Sequence, residues 1–266
     1  MTATMQDNQA FRALFTLPPV HTSASTALQV PEMPTPKTVT GDREVDSVLW
    51  LQECVKTGHQ VLIDKALEAA RKITTPMKEL GLRYGQHLAR QHGNSFVAAL
   101  GSMGFGELES QAKGAIERKQ KQHLALSRFG TVEALFADTA AEAACQRALR
   151  GVKRIKDDAF GDYDSSQIEQ RFSKNADLRP NTLSDCLHGR DYWNQLYWLR
   201  AAFEGVGDRP AYAQAHDDHC FAMLAKITPR SKDESLTVLE HLEERDTTDR
   251  PESPSVLRNL IAGGWA

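Results

Sequence analysis

The chain has 266 residues, 41% of them hydrophobic and 25% charged, with a formal net charge of −3. That is long enough for one large domain or two small ones, and the composition is ordinary for a soluble protein. Nothing approaches the roughly 20 consecutive apolar residues that cross a bilayer, and the opening MTATMQDNQAFRALF lacks the basic and apolar regions of a secretory signal.

The net charge hides an uneven distribution. Residues 56–156 carry 17 Lys+Arg against 9 Asp+Glu, whereas residues 157–266 carry 12 against 20. A basic block beside an acidic block points either to a polyanionic partner or to two halves that pack on each other. The four cysteines, Cys54, Cys145, Cys186 and Cys220, are far apart. In a chain of this length they read as reduced, buried thiols of a cytoplasmic protein.

Taken in chain order, Phe11, Leu14 and Phe15 come first, spaced to share one face of a short helix. Two readings stand: a loosely docked N-terminal arm, or a hook for a partner's groove. Residues 18–40 follow, with Pro18, Pro19, Pro31, Pro34 and Pro36 among Thr, Ser, Ala and Val, a composition that predicts an extended tether. Residues 1–41 are therefore expected to form a disordered, proline-rich arm carrying a short docking motif.

After Gly41 helical punctuation repeats to the end of the chain. Asp42 caps a helix with Val45, Val48, Leu49 and Val55 on its apolar face. Leu62, Ala66, Ala69, Ala70 and Ile73 form the next stripe. Thr75-Pro76 opens a helix to about Gln91, and Gly93 stops it. A long polar helix is predicted from about Gly106 to Arg128. Thr139 and Glu142 have capping-box spacing, with the helix behind them running towards Ile155. Ser166 with Glu169, Ser231 with Glu234, and Thr182 with Asp185 mark further starts. Ser253-Pro254 opens a last helix, and Gly263 ends it. Alternating β-branched runs are almost absent. The expectation is a mainly α protein, an irregular multi-helix array, with a basic region at 42–156 and an acidic region at 157–266. The two regions meet at a hinge in Asp157–Asp164, or form one continuous domain.

Several constellations bear on chemistry. Basic residues gather at Arg118, Lys119 and Lys121, and again at Arg147, Arg150, Lys153 and Arg154. On a continuous helix 147, 150 and 154 would share a face able to follow a phosphate backbone through counterion release. The alternative is a solvated or internally paired face, and no base-reading signature accompanies it. His216, His219 and Cys220, with Cys186 and His188, offer zinc-type ligands. Their spacing fits no standard zinc motif, and His216, Cys220 and Met223 fall on an apolar helical stripe, so they read as core. Tyr192, Trp193, Tyr197 and Trp198 cover a broad helical arc suited to a core or an interface. The glycines of LGSMGFGE match no phosphate-loop pattern and read as a turn. No cofactor, metal or catalytic set is read from these residues.

Three stretches, GDREVDSVLWLQE (41–53), TLSDCLHGRDYWNQLYWLR (182–200) and VLRNLIAGG (256–264), resemble the KlcB-type accessory proteins of broad-host-range conjugative plasmids. The resemblance implies an accessory role in plasmid maintenance or host adaptation in a bacterial cytoplasm, and carries over no functional residue. Together these readings predict a non-enzymatic accessory or regulatory protein that binds an unidentified protein partner through Phe11, Leu14 and Phe15, and no membrane. The alternatives are a nucleic-acid-binding regulator using the basic residues of 113–156, and an unrecognised enzyme.

Overall fold

Side-chain caps set many of the helix starts. Asn8, Asp42, Thr131, Thr139, Asp164 and Ser231 each accept a hydrogen bond from a backbone N–H in the first turn that follows, satisfying donors that have no partner inside the helix. The computed structural model describes residues 5–21, 31–93, 95–154, 163–204 and 209–264. They form α1 (Gln9–Leu14), α2 (Arg43–Lys56), α3 (Gln60–Ala70), α4 (Met77–His92), α5 (Ser95–Gly101), α6 (Leu108–Phe129) and α7 (Val132–Phe136). There follow α8 (Ala140–Ala148), α9 (Ser165–Lys174), α10 (Leu183–Glu204), α11 (Ala211–Leu224), α12 (Lys232–Glu244) and α13 (Ser253–Gly264). Among the described residues there is no strand, only an isolated antiparallel bridge between Arg154 and Tyr163. The fold is mainly α, as the capping and spacing patterns predict. No helix among the described residues is long and apolar enough to cross a membrane.

The chain divides into two compact units. The inserted unit is His21–Ser127; the terminal unit joins Met1–Val20 to Arg128–Ala266. The division falls in the last turn of α6, not at the charge switch near residue 157. α7 and α8, from the basic stretch, bury Leu135, Ala141 and Cys145 in the terminal unit, and burial of apolar surface, not charge, decides where they belong. Counted by unit, the asymmetry shrinks: 13 Lys+Arg against 11 Asp+Glu in the inserted unit, and 19 against 24 in the terminal unit. The hinge expected at 157–164 lies, up to residue 162, outside the described residues, as do 1–4 and 22–30 of the expected arm.

Within the inserted unit, α2 supplies both parts of the core. Leu51, Cys54 and Val55 pack with Ile63 and Ala66 of α3 and with Leu108 and Ala112 of α6. Val45 and Val48 pack with Leu80 of α4 and with Phe105. Residues 31–38 run without helix and are pinned at two points. Trp50 Nε1 donates to the Pro34 carbonyl at 2.6 Å. The Asp46 carboxylate accepts from the Thr40 N–H and hydroxyl, both at 2.8 Å.

Within the terminal unit, α10 packs against α11 and α12, and α11 carries α8, α9 and α13. Phe172, Leu178, Leu183, Phe221, Leu224 and Leu242 are fully buried there. α1 lies against α10. The predicted run of α8 towards Ile155 is corrected: α8 ends at Ala148, because Leu149 and Arg150 form a turn and Gly151 is left-handed at φ 81°.

Candidate functional site

The predicted docking residues are turned inward. Phe11 and Phe15 are fully buried, and Leu14 is half-buried. The Phe15 ring stacks on His216 with centroids 4.3 Å apart and meets Trp193 edge-on at 5.8 Å. The polar groups of α1 are matched as closely. Asn8 donates through its side-chain amide to the carbonyls of Ala176 at 2.7 Å and Arg179 at 2.9 Å. Its backbone N–H reaches the Asp185 carboxylate at 2.9 Å, and Arg12 Nε reaches the same carboxylate at 2.7 Å. The hook expected for a partner's groove therefore fills a groove of its own chain. Two buried phenylalanines with satisfied caps gain more from this site than from water.

The His/Cys group is a core element. Trp193 Nε1 can only donate, so His216 Nδ1 accepts from it at 3.1 Å. That leaves the His216 Nε2–H to donate to the Leu178 carbonyl, also at 3.1 Å. Both ring nitrogens are thereby used, and burial, with His219 nearby, pulls the imidazole pKa down to about 3. Burial pushes the Cys186 and Cys220 thiols well up, which disfavours the thiolate that zinc needs. His188 bonds to the Arg12 carbonyl instead of approaching the cysteines. Among the described residues no three His, Cys, Asp or Glu side chains are grouped to hold a metal ion.

The basic residues are divided between the two units. Arg118, Lys119 and Lys121 lie on α6 in the inserted unit, and Arg147, Arg150, Lys153 and Arg154 lie in the terminal unit. Because α8 stops at Ala148, the expected helical stripe through 147, 150 and 154 is not formed. Arg147, Arg150 and Lys153 are exposed and make no ion pair among the described residues. The Arg154 guanidinium sits 5.4 Å above the Tyr163 ring. In the aromatic run, Tyr192 and Trp193 are core, whereas Trp198 stays 44% exposed.

The inserted unit carries two further surface features. The first is apolar. Leu82 on α4, Phe96 and Leu100 on α5, and Met103 just beyond are 61%, 69%, 53% and 77% exposed. Of these, Leu82 also lines a trough of about 810 Å³ between α4 and α5, together with Met77, Phe105 and small residues including Gly81, Gly85, Ala89, Ala98 and Ala99. The signal was available: Phe96, Leu100 and Met103 follow i, i+4, i+7 spacing inside an uncharged stretch, although its glycines suggest only a turn.

The second feature is a cleft of about 1110 Å³ bounded by the 34–39 segment, α2 and α6. Trp50, Tyr84, Met103 and Phe105 give it an apolar lining, and Lys37, Lys56 and Arg118 give it positive charge. Tyr84 stacks on Phe105 with centroids 5.0 Å apart. No protein-family model matches the chain, and no curated protein or solved structure is significantly similar to it.

Proposed function

We propose that the chain is a non-enzymatic accessory or regulatory protein that works by binding another protein. The observation that carries this reading is the exposure of four large apolar side chains, Leu82 on α4, Phe96 and Leu100 on α5, and Met103 in the turn after it, with a trough next to Leu82. Large apolar side chains exposed together on one surface mark interaction sites, because covering them is favourable by about 25 cal/mol per Å². Phe96, Leu100 and Met103 recur at helical spacing, and an amphipathic helix, with its own apolar stripe, is the partner element that would cover them. The resemblance to KlcB-type proteins extends the reading to plasmid maintenance or host adaptation, as part of a mobile genetic element.

Affinity capture with the tagged full chain, alongside Phe96→Glu/Leu100→Glu, tests the reading. A partner retained by the wild type and lost by the double variant, at unchanged Tm, supports it. Identical capture by both proteins removes this face as the interface.

A second reading, a nucleic-acid-binding regulator, draws on Arg147, Arg150 and Lys153, which are exposed and make no ion pair among the described residues. Binding to DNA or RNA that weakens steeply with salt, and whose salt slope flattens in Arg150→Glu/Lys153→Glu, would favour it. An unchanged slope would exclude that group.

A further inference from the structure

The cleft between residues 34–39, α2 and α6 has the composition of a binding site rather than of a packing defect. Its walls are fixed. Trp50 is tied to Pro34, Asp46 holds Thr40, and the Gln52 side-chain amide donates to the Phe105 carbonyl at 2.6 Å. Its apolar lining is aromatic: Trp50 and Tyr84 remain half-exposed and present ring surface to it. Its charge is unbalanced. Three cations, Lys37, Lys56 and Arg118, face one carboxylate, Glu53, and Glu53 is paired with Lys56 at 2.6 Å. Lys37 and Arg118 make no ion pair among the described residues.

We infer that this cleft binds a small planar anion, an aromatic ring carrying a carboxylate or a phosphate. The ring would lie against Trp50 and Tyr84, where an apolar face replaces water at an aromatic surface. The negative group would neutralise Lys37 and Arg118, the only lining cations without a carboxylate partner among the described residues. Arg118 suits either anion, since its guanidinium offers two parallel donors to a pair of oxygens. The cleft's volume of about 1110 Å³ accommodates a ligand of two or three rings. On the α6 wall, a Cβ at Gly114 would meet nothing within 4 Å. This inference does not depend on the protein-binding reading, whose test residues, Phe96 and Leu100, do not line the cleft.

The test is calorimetric titration of the full chain with 2-naphthoate, 1-naphthyl phosphate and the uncharged 2-naphthalenemethanol. The expected result is saturable 1:1 binding of at least one anion, with the neutral compound weaker by about tenfold. Whichever anion binds more tightly identifies the acid group. Lys37→Glu/Arg118→Glu should reduce anion binding by at least about tenfold. Gly114→Phe should block the cleft while improving helix propensity, and an unchanged Tm of that variant separates a loss of binding from a loss of folding. Absence of saturable binding by both anions overturns the inference. So does equal binding of the neutral compound, or anion binding that survives in both variants.

Discussion

Arg200 and Glu142 form a two-pronged ion pair inside the terminal unit, Nη1 to Oε1 at 2.7 Å and Nη2 to Oε2 at 2.9 Å. Glu142 is almost inaccessible to solvent, and the pair joins α10 to the first turn of α8. The same carboxylate closes the capping box by accepting from the Thr139 N–H at 2.8 Å, and it accepts from the Tyr212 hydroxyl at 3.2 Å. Arg200 Nε reaches onward to the Leu135 carbonyl at 2.9 Å. The ion pair therefore ties together α7, α8, α10 and, through Tyr212, α11. Burial alone would raise the Glu142 pKa, but the Arg200 hydrogen bonds and the Thr139 amide outweigh it and hold the group below the usual carboxylate range.

Arg200→Ala leaves this carboxylate buried without its counter-charge and should cost about 3–5 kcal/mol of stability. The double variant Glu142→Gln/Arg200→Met should be less destabilised than Arg200→Ala alone, because it removes the unpaired charge as well. Chemical denaturation of the two variants and the wild type checks this. A double variant that is the less stable of the two would show that the pair's attraction, not the stranded charge, dominates.

α1 behaves as a piece of core that happens to lie at the chain terminus. Deleting residues 1–17 should lower Tm, and Phe11→Ala or Phe15→Ala should each cost about 3–5 kcal/mol. The same site can be perturbed from the opposite wall. A Cβ at Gly189 would lie 2.9 Å from Phe11 Cζ and 3.2 Å from Cys220 Sγ, so Gly189→Ala should destabilise the protein despite its better helix propensity. A deletion variant that melts with the wild type would show that the aromatic docking adds nothing.

Local signals in the sequence mapped well onto the fold, and long-range ones did not. Asp42 caps α2, Thr139 and Glu142 form a complete capping box, Gly93 ends α4, and Ser253 opens α13, each within a residue or two of its expected place. These features are written in neighbouring residues. Ser166 with Glu169 was misplaced because Asp164, two residues earlier, already accepts from Gln167 N–H. Thr182 does accept from the Asp185 N–H, yet the Asp185 carboxylate serves Asn8 and Arg12, more than 170 residues away. A contact at that separation leaves no periodic trace, so the fate of Phe11 and Phe15 was not legible. The charge switch near residue 157 was legible but uninformative, since packing rather than charge divides the units. Of the candidate surfaces, the α4–α5 face was visible only as spacing, and the cleft depends on the 34–39 segment meeting α2 and α6.

Burial holds two histidines neutral, His216 with its pKa near 3 and His219 near 4, against an ordinary 6.5. A histidine whose pKa is depressed by folding stabilises the protein above 6.5 and withdraws that stability as pH falls towards the folded value. The two together should remove about 2.7 kcal/mol per pH unit between roughly pH 6 and 4. His216→Gln keeps one acceptor and one donor on the ring's partners and removes one titrating group, so its slope should be shallower by about 1.4 kcal/mol per pH unit. Denaturant midpoints at pH 7, 6 and 5 measure the difference. Parallel lines for wild type and variant would mean that His216 is not held neutral by the fold.

The turn between α2 and α3 provides a test in the inserted unit. Gly58 is left-handed at φ 66°, and a Cβ there would sit 2.8 Å from the Ala115 carbonyl oxygen on α6. Gly41 shares the left-handed backbone at φ 80°, but a Cβ there would meet nothing within 4 Å. Gly41→Ala should therefore cost only the backbone strain, about 1 kcal/mol. Gly58→Ala adds a clash with main chain, which cannot rotate aside as a side chain can, and should cost a further 1–3 kcal/mol, roughly, as α6 is pushed from the turn. Thermal melts of the two variants separate these contributions. Equal losses would mean that α6 shifts freely at Ala115, and that the α2–α3 turn does not fix its position.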